Sequence, residues 1–67
     1  MDIKIGRLYT TVENNYKLYV IPTSAHIPHL YFVHIAHAEK MKPNLPDFDY
    51  EDSSCRLIHE NWLEEMR

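Results

Sequence analysis

A single cysteine, Cys55, in a chain of 67 residues constrains the fold more than any other feature. No disulfide can form within one chain, so the commonest staple of small scaffolds is missing. A domain this short buries only about 60% of the surface its unfolded chain exposes. Stability must therefore come from an efficient apolar core, a bound metal or a partner. The hydrophobic fraction of 45% and charged fraction of 25% belong to a folded domain rather than a disordered chain. The length excludes a two-domain enzyme, a dinucleotide-binding unit and any barrel enzyme, and residues 1–67 read as a single domain.

Compartment follows from the same features. A lone thiol suits a reducing environment. The opening Met1-Asp2-Ile3-Lys4-Ile5 carries an early acid and no apolar core of a leader. No apolar run approaches the roughly 20 residues that span a bilayer. The expectation is a cytoplasmic protein without a membrane segment.

Charge is uneven along the chain. Residues 1–40 hold four cations against three acids, a net +1, and residues 41–67 hold three cations against seven acids, a net −4. The whole carries −3. An acidic C-terminal part repels phosphate, which disfavours nucleic acid as the partner.

Alternation sets the elements. Residues 7–12 read Arg-Leu-Tyr-Thr-Thr-Val, with Leu8, Thr10 and Val12 on one face and Arg7, Tyr9 and Thr11 on the other. Residues 17–21 read Lys-Leu-Tyr-Val-Ile, a second strand. Asn14-Asn15 between them is a hairpin turn, because asparagine tolerates positive φ. Pro22 ends the second strand, and residues 23–29, with Pro28, read as a loop. Residues 30–36 form a third strand, with a helix as the competing parse. Residues 42–54 are a long loop holding Pro43 and Pro46. Near the C-terminus Cys55, Ile58, Trp62 and Met66 recur at helical spacing, which predicts a helix anchored on the sheet through Trp62. The competing parse makes 55–59 a fourth strand and 61–66 a short helix. The fold class is then a small β-rich α+β protein. It comprises a three- to four-stranded antiparallel meander, with an SH3-like barrel as its closed form, and a C-terminal helix.

The Gly-Arg-Leu-Tyr start, the Tyr-Lys-Leu-Tyr-Val-Ile second strand and the Ile-His-Glu-Asn-Trp-Leu end resemble small SH3-like β-barrel accessory proteins of tailed bacteriophages. The resemblance spans most of the chain without a fingerprint motif. It implies a partner in the host cell and a role as inhibitor or modulator of that partner.

Several constellations bear on chemistry. His26, His29, His34 and His37 form two His-x-x-His pairs, and four imidazoles suit zinc, nickel or copper. On a strand, however, His34 and His37 point to opposite faces. His59-Glu60 begins like a zinc-protease helix motif, but Leu63 stands where the second histidine is needed. Asp47, Phe48, Asp49, Tyr50, Glu51 and Asp52 open like a calcium loop. The loop's glycine and final glutamate positions hold Asp52 and Ile58 instead, so no calcium site is expected. Cys55 lies on the apolar stripe and reads as a small hydrophobe rather than a nucleophile. One glycine excludes a glycine-rich phosphate loop.

No catalytic set emerges, so the sequence reads as a non-enzymatic protein-interaction module with no cofactor. Its partner-binding residues would be Tyr9, Tyr19 and Tyr31 on a sheet face, with Tyr9 and Tyr19 facing each other across the hairpin. The acidic-aromatic run Asp47, Phe48, Asp49, Tyr50, Glu51 and Asp52 would contact a basic surface. Unpaired strand edges also invite a homo-oligomer. Two alternatives stand beside this reading. One is a metal-binding protein using His26, His29, His34 and His37. The other is a small SH3-like nucleic-acid module using Lys4, Arg7 and Lys17.

Overall fold

The computed structural model describes residues 3–47 and 55–65. Among these residues, five strands form one antiparallel sheet: β1 (Tyr9–Glu13), β2 (Tyr16–Ile27), β3 (Leu30–Lys40), β4 (Cys55–His59) and β5 (Glu64–Glu65). A 3-10 turn, Glu60–Trp62, joins the last two strands. The strand order is β4-β3-β2-β1-β5.

Turn chemistry fixes the first hairpin. Asn14 and Asn15 have φ of 50° and 66°, as a two-residue turn of the right twist requires at both positions. The register follows: Glu13 faces Tyr16, Thr11 faces Leu18 and Tyr9 faces Val20. Tyr9 and Thr11 therefore lie over Leu18 and Val20, and Val12 turns outward at 55% exposure. The expected facing of Tyr9 and Tyr19 is corrected by this register, which sets Tyr19 against Thr10.

Pro22 does not end β2. It is buried and paired with Val33 in mid-strand. A residue's N–H and C=O point to the same strand edge. The Pro22 carbonyl accepts the Gly6 N–H at 2.9 Å, on the β1 side, where the β1 ladder has already ended at Val20. The missing proline N–H thus removes no bond to β3. Register shifts between Tyr19 and Val20, between Pro22 and Ser24, and between Ala25 and Ile27 coil the β2–β3 ribbon.

The core lies on one face of this coiled sheet. Tyr9, Tyr16, Leu18, Val20, Val33, Ile35 and Leu63 are buried, with Ile3, Tyr31, Ala38, Leu45 and Ile58 packed against them. Each fully buried aliphatic side chain contributes about 1.5–3 kcal/mol. Two tyrosine hydroxyls are satisfied at the margin: Tyr9 accepts from the Lys4 N–H at 2.9 Å, and Tyr16 donates to the Pro46 carbonyl.

The expected C-terminal helix is corrected. Residues 55–59 alternate, with Arg56 and Ile58 turned inward opposite Val33 and Tyr31, and Cys55 and Leu57 exposed. The helical stripe dissolves: Cys55 and Trp62 are exposed, and Leu63, beside the stripe, is the buried anchor at 1% exposure. The strand parse of 55–59 matches, but the 3-10 turn and β5 replace the short helix. Among the described residues no helix is long and apolar enough to cross a membrane.

Candidate protein-docking cleft

β4 and β5 behave as two halves of one bent strand. The first half pairs with β3 at one end of the sheet and the second pairs with β1 at the other. The 3-10 turn carries the chain between these ends, so the sheet curls almost onto itself. It stays open along a wedge, because β5 covers only Tyr9 and Thr10 of β1. Among the described residues no ladder joins β4 to the Thr11–Val12–Glu13 stretch. Arg56 and Glu13 bridge the mouth of the wedge at 3.2 Å.

Trp62 sits at the apex of that wedge. Trp62 is 66% exposed, beside Val12 at 55% and Leu57 at 46%. Two hollows adjoin it. The larger, about 350 Å³, lies between the β1–β2 hairpin and the turn, bordered by Thr10, Val12, Lys17, Asn61 and Glu64. The smaller, about 140 Å³, is the wedge itself, bordered by Val12, Glu13, Leu57 and Ile58. Phe32, opposite Leu57 in the β3–β4 ladder and 36% exposed, extends the apolar strip across the outer face.

The turn that carries Trp62 is braced from two sides. The Glu60 N–H donates to the His29 carbonyl at 2.7 Å, and the Glu60 carboxylate meets His29 Nδ1 at 2.5 Å. His59 Nδ1 accepts the Asn61 N–H at 3.1 Å, and the His29 and His59 rings stack with centroids 5.9 Å apart. Leu63 follows at once into the core. A buried leucine beside a braced turn thus holds the indole outward.

The residues expected to bind a partner are scattered. Tyr9 is 2% exposed and belongs to the core. Tyr19 lies on the outer face, half-buried, with its hydroxyl donating to Glu39 at 3.1 Å and its ring 5.6 Å from that of His37. Tyr31 is half-buried on the core side. These three do not form one patch, and this corrects the tyrosine-face expectation. Asp47 is exposed and paired with Lys40 at 2.7 Å. The hydrogen bond and charge of Lys40 hold its carboxyl below the usual range. Phe48, Asp49, Tyr50, Glu51 and Asp52 lie outside the described residues.

The four histidines do not assemble either. The irregularity opposite Tyr19 and Val20 brings His34 and His37 to the same outer face, against the strict alternation expected of them. His37 packs on Tyr19, His26 on Phe32 at 5.0 Å, and His29 on His59. Among the described residues no three metal-ligating side chains gather as a site requires. His59 accepts an N–H at Nδ1 and so keeps its proton on Nε2, the nitrogen a metal would need. Cys55 is exposed across the ladder from His34, not in the core.

Searches against protein-family models, curated proteins and solved structures gave no match to this chain.

The residues that come together, Val12, Leu57, Trp62 and Glu64, lie outside the expected site. A helical period places Trp62 inward, whereas the 3-10 turn leaves it exposed. Alternation puts Val12 with Leu8 opposite Tyr9, and the structure buries the Tyr9 face instead.

Proposed function

We propose that this chain is a non-catalytic protein-interaction module whose docking surface is the cleft around Trp62. One observation carries the reading: a tryptophan two-thirds exposed, flanked by Val12 and Leu57, at an open seam of the sheet. Exposed tryptophan in a partly formed hollow is the residue type most enriched among interface anchors. A small domain with an unpaired edge at the same place also offers main-chain groups to a partner.

The strand order and the 3-10 turn between the last two strands support treating the sheet as a small SH3-like barrel left open at the wedge. The resemblance to phage barrel proteins extends the proposal to an inhibitor or modulator of a host protein. A nucleic-acid role has less behind it. Arg7 is bound by Glu65 at 3.1 Å, and Lys17 stands opposite Glu39 in the β2–β3 ladder. Two of the three cations expected to form a basic face thus lie beside acids.

The test is a comparison of captured proteins. Immobilised chain, its Trp62→Ala variant and its Tyr19→Phe variant are exposed to the same cell extract, and bound proteins are identified by mass spectrometry. The reading expects a partner retained by the parent and by Tyr19→Phe and lost from Trp62→Ala. A partner retained equally by all three would move the docking surface elsewhere.

A further inference from the structure

Among the described residues, the acids near the cleft are engaged, with one exception. Glu65 is bound by Arg7, Glu13 by Arg56, and Glu60 by His29. Glu39 accepts from Tyr19. Glu64 is exposed, borders the larger hollow with Trp62, and has no side-chain ion pair or hydrogen bond among the described residues. Its backbone is fixed by pairing with Thr10, so the carboxylate is presented from a strand rather than a loose end.

An exposed indole beside an unpaired carboxylate is an acceptor for a cation. The ring face attracts it through its quadrupole and the carboxylate through charge and hydrogen bonds. Lys17 also borders the hollow, with its ammonium drawn to the Tyr19 ring at 5.5 Å from the centroid.

We infer that the cleft receives an arginine side chain from an extended segment of the partner protein, its guanidinium stacked on Trp62 and paired with Glu64. Arginine fits better than lysine because its planar fork stacks on an aromatic face and pairs with a carboxylate in one geometry. Apolar residues flanking that arginine lie against Val12 and Leu57. The net charge of −3 favours approach of a basic segment. This inference rests on the docking reading above and names what docks.

The probe is a capped Gly-Val-Arg-Leu-Gly peptide, with the same peptide carrying citrulline as its neutral match. Binding is read from the fluorescence of Trp62, the single tryptophan, and from its indole N–H resonance. The arginine peptide is expected to shift both signals, and citrulline to weaken binding by about tenfold. Glu64→Gln should impose the same loss on the arginine peptide and little on the citrulline peptide. Circular dichroism confirms that the variant keeps its sheet. Three results overturn the inference: equal binding of the two peptides, arginine binding indifferent to Glu64→Gln, or no response of Trp62. In each case a partner lost from Trp62→Ala in the capture experiment would leave the docking reading standing. Sedimentation showing self-association that Trp62→Ala abolishes would put a second copy in the cleft and overturn the inference as well.

Discussion

Glu13 at the end of β1 and Arg56 on β4 meet at 3.2 Å across the seam where the curled sheet has no ladder. The two strands stand at remote places in the sheet order, yet their side chains touch. That contact shows how far the sheet has rolled, and it marks the mouth of the wedge that Trp62 overlooks.

Both side chains of that pair are more than a third exposed, so its contribution is modest. Arg56→Gln should destabilise the fold by about 0.5 kcal/mol in urea unfolding. The difference from the parent should shrink in about 1 M salt, where the Debye length falls to about 3 Å.

Trp62 and Leu63 are neighbours with opposite fates. Leu63→Ala should cost about 2–5 kcal/mol, because it empties a site in the core. Trp62→Ala should cost within about 1 kcal/mol, since a residue 66% exposed has little burial to lose. Paired urea denaturation curves check both values. A helix anchored through Trp62 would reverse the order.

The Asn14-Asn15 turn gives a third expectation. Asn15 holds φ at 66°, a value glycine adopts without strain. Asn15→Gly should leave stability unchanged or raise it by up to about 1 kcal/mol. Asn15→Val should lower it by about 1–2 kcal/mol, because a β-branched side chain resists positive φ. Thermal melts of the two variants distinguish these outcomes.

Asp47 supplies a pH test. Its carboxyl is held below the ordinary aspartate range by the hydrogen bond and charge of Lys40. A depressed folded-state pKa stabilises the protein above the ordinary carboxylate value, and that stabilisation fades as pH falls through the lower folded value. An NMR titration of the Asp47 carboxyl should therefore show a midpoint below that of an unpaired aspartate. Lys40→Met should move that midpoint upward.

Much of the β architecture was legible from residue order. Paired asparagines between two alternating runs specify a tight hairpin, and the turn is where they place it. The same turn carried more information than the tyrosine pattern suggested. A two-residue loop at 14–15 makes partner numbers add to 29, so Tyr9 must face Val20 and cannot face Tyr19. Pro22 misled because a proline ends a strand only where its N–H is needed, and here that edge was free of the ladder. The C-terminal segment misled because Cys55, Ile58 and Trp62 fit a helical stripe while Arg56 and Ile58 fit a strand equally well. Over five residues the two periods cannot be separated, and pairing with β3 decides. The cleft was not legible, because it exists only where β1 and β4, more than forty residues apart, approach through the roll of the sheet.

Acrylamide quenching of Trp62 fluorescence, at a dilution where sedimentation shows a monomer, tests the central claim most directly. An open indole at the wedge should quench nearly as readily as free tryptophan and emit at a similar wavelength. Shielded, blue-shifted emission would mean that Trp62 is packed against the protein, and the docking cleft would not exist.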